Sequence, residues 1–451
     1  MTDIHNGFAE LGLLDPLVQS LSEAGITSPF PIQETTLPVA LKGADVIGQA
    51  KTGTGKTFGF ALPLLQRFLL AHEAETAPSA PGAPHGLVVV PTRELALQVA
   101  GDLTTASRHT DIQILTLYGG KNVDDHLAQL RRRVDVIVGT PGRLLDMYSR
   151  GALILHNVRT AVLDEADEML NLGFLPDVQK IIAALPSERQ TMLFSATMPA
   201  PILSLARQFM EQPTHIRADD EPGDTTLTTR TTRQFIYRAH AMDKMEVIAR
   251  VLQSRDSERT IIFTRTKRTA DRTSEDLKDR GFAAQPLHGD LDQDKREKVL
   301  RGFREGRYSI LVATDVAARG IDIADISHVI NYQCPEDAHT YVHRIGRTGR
   351  AGHSGVAVTL VDWDDIPRWG LIARTLELDT AEPVETYSTS EHLYSDLNIP
   401  QDVTGSITRA SGSRGGGVTP RSRRTTSTSS SRRTTSAAPR RRRTRRGKPT
   451  E

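Results

Sequence analysis

The segment Ala50-Lys51-Thr52-Gly53-Thr54-Gly55-Lys56-Thr57 sets two glycines, a lysine and a threonine at the spacing of a phosphate-binding loop. It follows a short apolar run and precedes an apolar stretch, 58–70, that can be helical. Glycines at 53 and 55 let backbone N–H groups wrap phosphate oxygens, and the helix N-terminus adds its positive end. Lys56 then reaches the β- and γ-phosphates, and the Thr57 hydroxyl holds Mg²⁺. The strict pattern opens on glycine and this loop on Ala50, so alone it also fits a chance Gly/Thr-rich turn. Downstream, the apolar run 160–163 ends in Asp164-Glu165-Ala166-Asp167. At the end of a buried strand, Asp164 is placed to hold the metal and Glu165 to orient or deprotonate a water. The two segments together imply Mg²⁺-dependent hydrolysis of a nucleoside triphosphate.

That reaction also needs cations against the charge developing on the γ-phosphate. His343-Arg344-Ile345-Gly346-Arg347-Thr348-Gly349-Arg350 offers Arg347 and Arg350, three apart with glycine between, and both can point at one phosphate. Arginine stays charged and donates in a planar fork. Read alone, a solvated basic turn is the plainer account of this segment.

The elements that must position these groups repeat along the chain. Short apolar runs read as strands at 45–48, 87–90, 112–117, 134–138, 161–163 and 191–194, then at 260–263, 283–287, 310–313, 328–331 and 356–360. Helical patterns alternate with them, which predicts an α/β fold of two mostly parallel sheets flanked by helices. The segment 218–233, rich in Asp, Thr, Pro and Gly, reads as a linker between a domain at 1–217 and a second at 234–375. An extension follows at 376–403. The Pro/Ala-rich stretch 72–86 reads as an exposed loop, and 404–451, rich in Ser, Thr, Gly and Arg, as a disordered tail.

The chain of 451 residues carries net charge +1, but the segment from Thr404 onward holds +13 and the remainder −12. An acidic body with a basic appendage points to a polyanionic partner. The tail lacks aromatic residues to stack on bases, so counterion release dominates its expected contact, as a salt-sensitive tether; a solubilising tail is the alternative. The single cysteine, Cys334, excludes an internal disulfide and fits a reducing compartment. No stretch approaches the roughly 20 apolar residues of a membrane span. The expectation is a cytoplasmic monomer without a membrane partner.

With these residues in view, the chain resembles the DEAD-box ATP-dependent RNA helicases of superfamily 2 over roughly residues 6–375. Asp164-Glu165-Ala166-Asp167 spells the family's name, and Ala50 is its usual first loop residue. Gly25-Ile26-Thr27-Ser28-Pro29-Phe30-Pro31-Ile32-Gln33 is similar to the adenine-reading Q motif, with Phe8 upstream as its isolated aromatic, although Phe30 stands where threonine is usual. The resemblance implies tandem RecA-like domains, ATP and Mg²⁺ as cofactors, Gln33 on the adenine edge with Phe8 near it, and Asp322 on the ribose. It makes Arg347 and Arg350 arginine fingers, and Ser195-Ala196-Thr197, with Asp167 and His343, the coupling group between hydrolysis and strand separation. Pro91-Thr92-Arg93, Gly119-Gly120 and Thr140-Pro141-Gly142-Arg143 resemble the RNA motifs of the first domain. Arg265, Gln293, Arg296 and Thr314 lie in those of the second.

These RNA groups also read physically. The glycines allow close backbone approach to phosphate, Pro141 at a helix start leaves donors free, and arginines and threonines add charge and small donors. Such groups position a sugar–phosphate strand without reading bases, and 2′-hydroxyl contacts favour RNA over DNA. The implied function is an RNA-dependent ATPase that nonprocessively unwinds short duplexes or remodels RNA–protein complexes, on single-stranded and short duplex RNA. Ribosome-assembly or RNA-decay complexes are its implied settings. An ATP-gated RNA clamp with little unwinding and a DNA helicase are the rivals. His288, before Gly289-Asp290, reads as support for a turn.

Overall fold

The computed structural model describes residues 6–50, 55–73, 79–217, 232–318, 326–349, 354–380 and 382–407. The first domain contains β1 (Val46–Gln49), β2 (Gly86–Val89), β3 (Ile114–Leu117), β4 (Val136–Gly139), β5 (Thr160–Leu163), β6 (Gln190–Ser195) and β7 (Thr214–Arg217). They form one parallel sheet in the order β3-β4-β2-β5-β6-β1-β7. The second contains β8 (Thr232–Arg238), β9 (Thr260–Thr264), β10 (Ala284–Leu287), β11 (Ile310–Thr314), β12 (His328–Asn331), β13 (Gly355–Val361) and β14 (Val384–Glu385). Its order is β10-β11-β9-β12-β13-β8-β14, again parallel.

Parallel strands covered by helices on both faces are apolar almost throughout, and this is why runs such as Leu87–Val88–Val89 stood out. In the first domain, Val88, Val136 and Val162 point into one core with Phe60, Leu65 and Val99, while Leu87, Ile137 and Leu163 point into the other with Met147 and Ile181. The covering helices begin where the sequence supplies caps. Thr92 Oγ1 accepts from Leu95 N ahead of the helix Arg93–Ala106, and Asp292 Oδ1 accepts from Lys295 N ahead of Gln293–Arg304. In the second domain Lys244 is fully buried, its Nζ donating to Tyr332 O, Leu360 O and Asp362 Oδ2 and so fastening the ends of β12 and β13.

Several boundaries differ from the sequence reading. Thr232 and Arg233, expected in the linker, open β8 and pair with Gly355 and Val356; residues 218–231 lie outside the described residues. The extension is part of the second domain: β14 pairs with β8, and Leu393, Leu397 and Ile399 are buried beside Tyr237. Within 72–86, the helix Lys56–Glu73 takes the first two residues and the last part is packed, with Ser79 and Ala83 buried. Gly82 shows why a glycine stands there, since at φ 67° an added Cβ would lie 2.3 Å from Ala152 O. At the start of the expected tail, Gln253 and Arg280 donate to Thr404 O and Gly405 O, and Ile407 N donates to Arg280 O. The rest of the tail, 408–451, lies outside the described residues.

His328, inside β12, carries a pH dependence. Its ring is buried between Ser254 Oγ and Ser327 Oγ, and burial pushes its pKa down to about 4. The folded state therefore keeps it neutral while the unfolded chain protonates below about pH 6.5. Its stabilising share is complete above about pH 6.5 and is lost as pH falls toward about 4, a change of order 3 kcal/mol. Urea unfolding at about pH 7 and about pH 4.5 should show a smaller loss in His328→Gln than in the parent chain. Equal losses in both would remove His328 as the cause.

Candidate nucleotide and nucleic-acid site

Every expected first-domain site loop leaves the carboxyl edge of the sheet, where open α/β sheets bind ligands. Strand order divides them. Loops after β3, β4 and β2 carry Gly119-Gly120, Thr140-Pro141-Gly142-Arg143 and Pro91-Thr92-Arg93. Loops after β5, β6 and β1 carry Asp164-Glu165, Ser195-Ala196-Thr197 and the Ala50–Thr57 segment. One half of the edge holds the residues expected at the nucleotide and the adjoining half those expected at the nucleic acid.

In the nucleotide half, Ala50 N donates to Ser195 O; Lys51, Thr52, Gly53 and Thr54 lie outside the described residues. Gly55 has φ 79°, and its carbonyl accepts Gln33 Nε2 at 2.6 Å. A Cβ there would sit 2.6 Å from the Phe30 ring. Gln33 Oε1 also accepts Phe30 N, so this glutamine binds its own helix start and the phosphate loop at once. Phe8 is wholly buried among Leu13, Leu17 and Leu21.

Lys56 opens the helix Lys56–Glu73 with its Nζ buried and without a hydrogen-bond partner among the described residues, and Thr57 follows half-buried. Asp164 is buried, and burial pushes its carboxyl up to about 7 against the pull of the Lys56 ammonium. A buried ammonium without an acceptor and a buried carboxyl driven toward neutrality fit a bound triphosphate and its divalent cation, which complement both. Glu165 sits next to them at φ 52°, ψ 52°, its N–H donating to Asp164 Oδ1. A non-glycine residue held in this region costs about 1–3 kcal/mol, and such strain persists where surrounding structure enforces it.

Asp167 is a junction. Its Oδ2 accepts both N–H and Oγ1–H of Thr197 at 2.8 Å, its own N–H donates to Ser195 Oγ, and Ser195 Oγ donates to Thr197 O. Burial would raise this carboxyl, but nearby His339, Thr197 and Lys56 outweigh it and hold Asp167 well below the usual range. The second domain meets it here: His339 Nε2 lies 3.6 Å from Asp167 Oδ2, and His343 Nδ1 lies 3.9 Å from Glu168 Oε2. Arg347 is buried, its Nε donating to His343 O, and lines a cleft with Phe263, Asp315, Thr340, His343 and Arg344. Arg350 and Asp322 lie outside the described residues.

In the nucleic-acid half the arginines are already engaged. Arg143 donates to Lys121 O and meets His126 Nδ1. Burial, with Arg143 beside it, lowers His126 to about 4, which keeps that nitrogen an acceptor. Arg93 lies over the Tyr118 ring and donates to Gly119 O. Gly120, at φ 85°, leaves room for it. Two ion pairs then cross between the domains: Arg93 with Glu297 at 3.2 Å and Arg296 with Glu94 at 2.9 Å. Gln293 Nε2 donates to Glu297 as well. Arg265 donates to Cys334 O and Asp365 Oδ1, and Thr314 ends β11, buried.

Sequence reasoning passed over His339, Arg344, His126 and the two glutamates. Arg344 is fully buried, holding both Asp315 oxygens at 2.6 and 2.7 Å together with Asn331 Oδ1 and Gln333 O. It docks the helix Ala338–Ile345 on the ends of β11 and β12. The only advance signal was its place inside the arginine-rich segment. Cys334 is buried, its thiol pushed up to about 11 by burial, and His288 bridges Asp271 and Asp290 N in a turn.

Comparison with known proteins matches this geometry. A family model described as DEAD/DEAH box helicase covers residues 30–205, and one described as helicase conserved C-terminal domain covers 243–352. DEAD-box ATP-dependent RNA helicase CshA of Bacillus cereus is 47% identical over 354 residues, 78% of this chain and 65% of that protein. CshA of Geobacillus kaustophilus is 45% identical over 368 residues, 82% of this chain and 76% of that protein. The chain thus spans about 65% of the length of the Bacillus relative. Among solved structures, S. cerevisiae Dbp5 bound to RNA and ADP BeF3 superposes with TM-score 0.73 at 29% identity, covering 87% of this chain and 99% of that one. Mss116p bound to ssRNA and AMP-PNP gives 0.72 at 27% identity, covering 86% and 80%. The two parallel sheets are accordingly tandem RecA-like domains.

Proposed function

Because the chain belongs to the DEAD-box ATP-dependent RNA helicase family, we propose that it is an RNA-dependent ATPase that locally unwinds short duplexes or remodels RNA–protein complexes, nonprocessively and without sequence preference. The division of one sheet edge into a nucleotide half and an adjoining nucleic-acid half, which meet between β2 and β5, supports this most directly.

In this reading Lys56 and the loop around it bind the β- and γ-phosphates, and Gln33 turns from Gly55 O toward the adenine. Thr57 and Asp164 hold Mg²⁺, which when bound supplies positive charge to the phosphate oxygens. Glu165 orients the attacking water and takes its proton; Arg347 and Arg350 stabilise charge on the transferred phosphoryl group. Asp322 contacts the ribose. Thr92, Arg93, Gly119, Gly120, Thr140, Gly142 and Arg143 from one domain, with Arg265, Gln293, Arg296 and Thr314 from the other, grip the RNA backbone. RNA and ATP each draw on both domains, so each strengthens binding of the other.

ATP turnover should rise on adding single-stranded RNA, less with DNA of equal length, and the stimulation should fade as salt is raised. Turnover indifferent to RNA across the salt series would sink the coupled reading. Stronger stimulation by DNA would turn it toward a DNA helicase.

A further inference from the structure

We propose that Asp167, His339 and His343 form a transition-metal site that clasps the second domain to the first. The two histidines lie four residues apart on the helix Ala338–Ile345 and so share one face, with ring centroids 3.9 Å apart. Asp167 comes from the helix Ala166–Asn171 of the other domain. One ligand atom from each of the three lies within 4.8 Å of the others. His339 Nε2 is buried, makes no hydrogen bond among the described residues and stands 3.6 Å from Asp167 Oδ2. That distance is too long for a hydrogen bond, yet close to the roughly 3.4 Å separating two N/O ligands of one tetrahedral ion. Glu168 Oε2 stands outside this group, 3.9 Å from His343 Nδ1, so water completes the coordination.

Two imidazoles and one carboxylate suit Zn²⁺ or Co²⁺; Mg²⁺ prefers all-oxygen octahedra and retains its waters. The site is therefore chemically distinct from the Thr57 and Asp164 pair. One donor comes from the first domain and two from the second, so only the juxtaposed domains complete it. An ion bound to that arrangement alone stabilises it by mass action and opposes domain separation. The clasp rests on this geometry and not on the RNA reading.

The full-length chain, free of nucleotide and RNA and in excess Mg²⁺, is titrated with Co²⁺ and followed by visible absorption. One ion per chain with intense tetrahedral bands, displaced by Zn²⁺, is expected. His339→Asn, His339→Gln and His343→Asn should each weaken it by at least the ~10–100-fold that loss of an outer-shell partner already costs. His156→Asn, at an exposed position, should not. Weak octahedral absorption alone, or affinity unchanged in folded His339 variants, overturns the site. For the clasp, dyes on Ala183→Cys and Arg301→Cys, one exposed position in each domain, report interdomain distance by energy transfer. Zn²⁺ should hold the distance short in the parent chain and not in His339→Asn. Metal binding that leaves the distance unchanged overturns the clasp.

Discussion

Arg347→Ala is expected to lower RNA-stimulated ATP turnover by about 10³–10⁵-fold, the range associated with loss of an arginine finger. Arg347 is buried and lines a cleft of the second domain, its Nε on His343 O and its neighbours Thr340 and Arg344. Arg344 is committed to Asp315, Asn331 and Gln333 O, so in the proposed function the finger role falls to Arg347. The loss should fall on kcat, with nucleotide affinity held within about tenfold, because the contact strengthens as charge develops in the transition state. Arg347→Lys should recover little, since a point charge does not reproduce the planar fork. Steady-state kinetics with a fluorescent-nucleotide binding assay separates the two quantities. Turnover within about tenfold of the parent chain would place the required cation elsewhere.

Glu165→Gln should lower hydrolysis by about 10²–10⁴-fold while ATP and RNA binding persist. The substitution keeps shape and removes the base. Shape matters because Glu165 is held at φ 52° between Asp164 and the helix Ala166–Asn171, an aim that the backbone fixes before any ligand arrives. A variant that binds but does not turn over should accumulate a long-lived complex with ATP and RNA. Single-turnover hydrolysis against filter-bound RNA measures both. Ordinary turnover in the variant would remove Glu165 from its role.

The buried parallel strands were legible because both faces of each are covered, so β2, β5 and β11 appear as short, mostly apolar runs. β7 and β14 were missed for the opposite reason. They lie at sheet edges, mostly exposed, and Thr-His-Ile-Arg or Val-Glu carries no run to notice. β8 hides because Thr232 and Arg233 prolong the composition of the segment before it. Site residues in short loops after strands were readable, since their spacing is local. What escaped was the polar scaffolding: Arg344 on Asp315, His126 on Arg143 and His339 facing Asp167 join residues 29, 17 and 172 positions apart, and only the folded chain brings them together.

The partition of the first sheet's edge bears on how such a molecule can diversify. Loops after β3, β4 and β2 can be lengthened or recharged to suit another polymer or cargo without disturbing the strands that carry Lys56 and Asp164. In the proposed function the nucleotide half then serves as a motor and the other half as an exchangeable grip. The restriction lies where the halves adjoin, between β2 and β5, so tolerated variation should thin out toward that pair of strands.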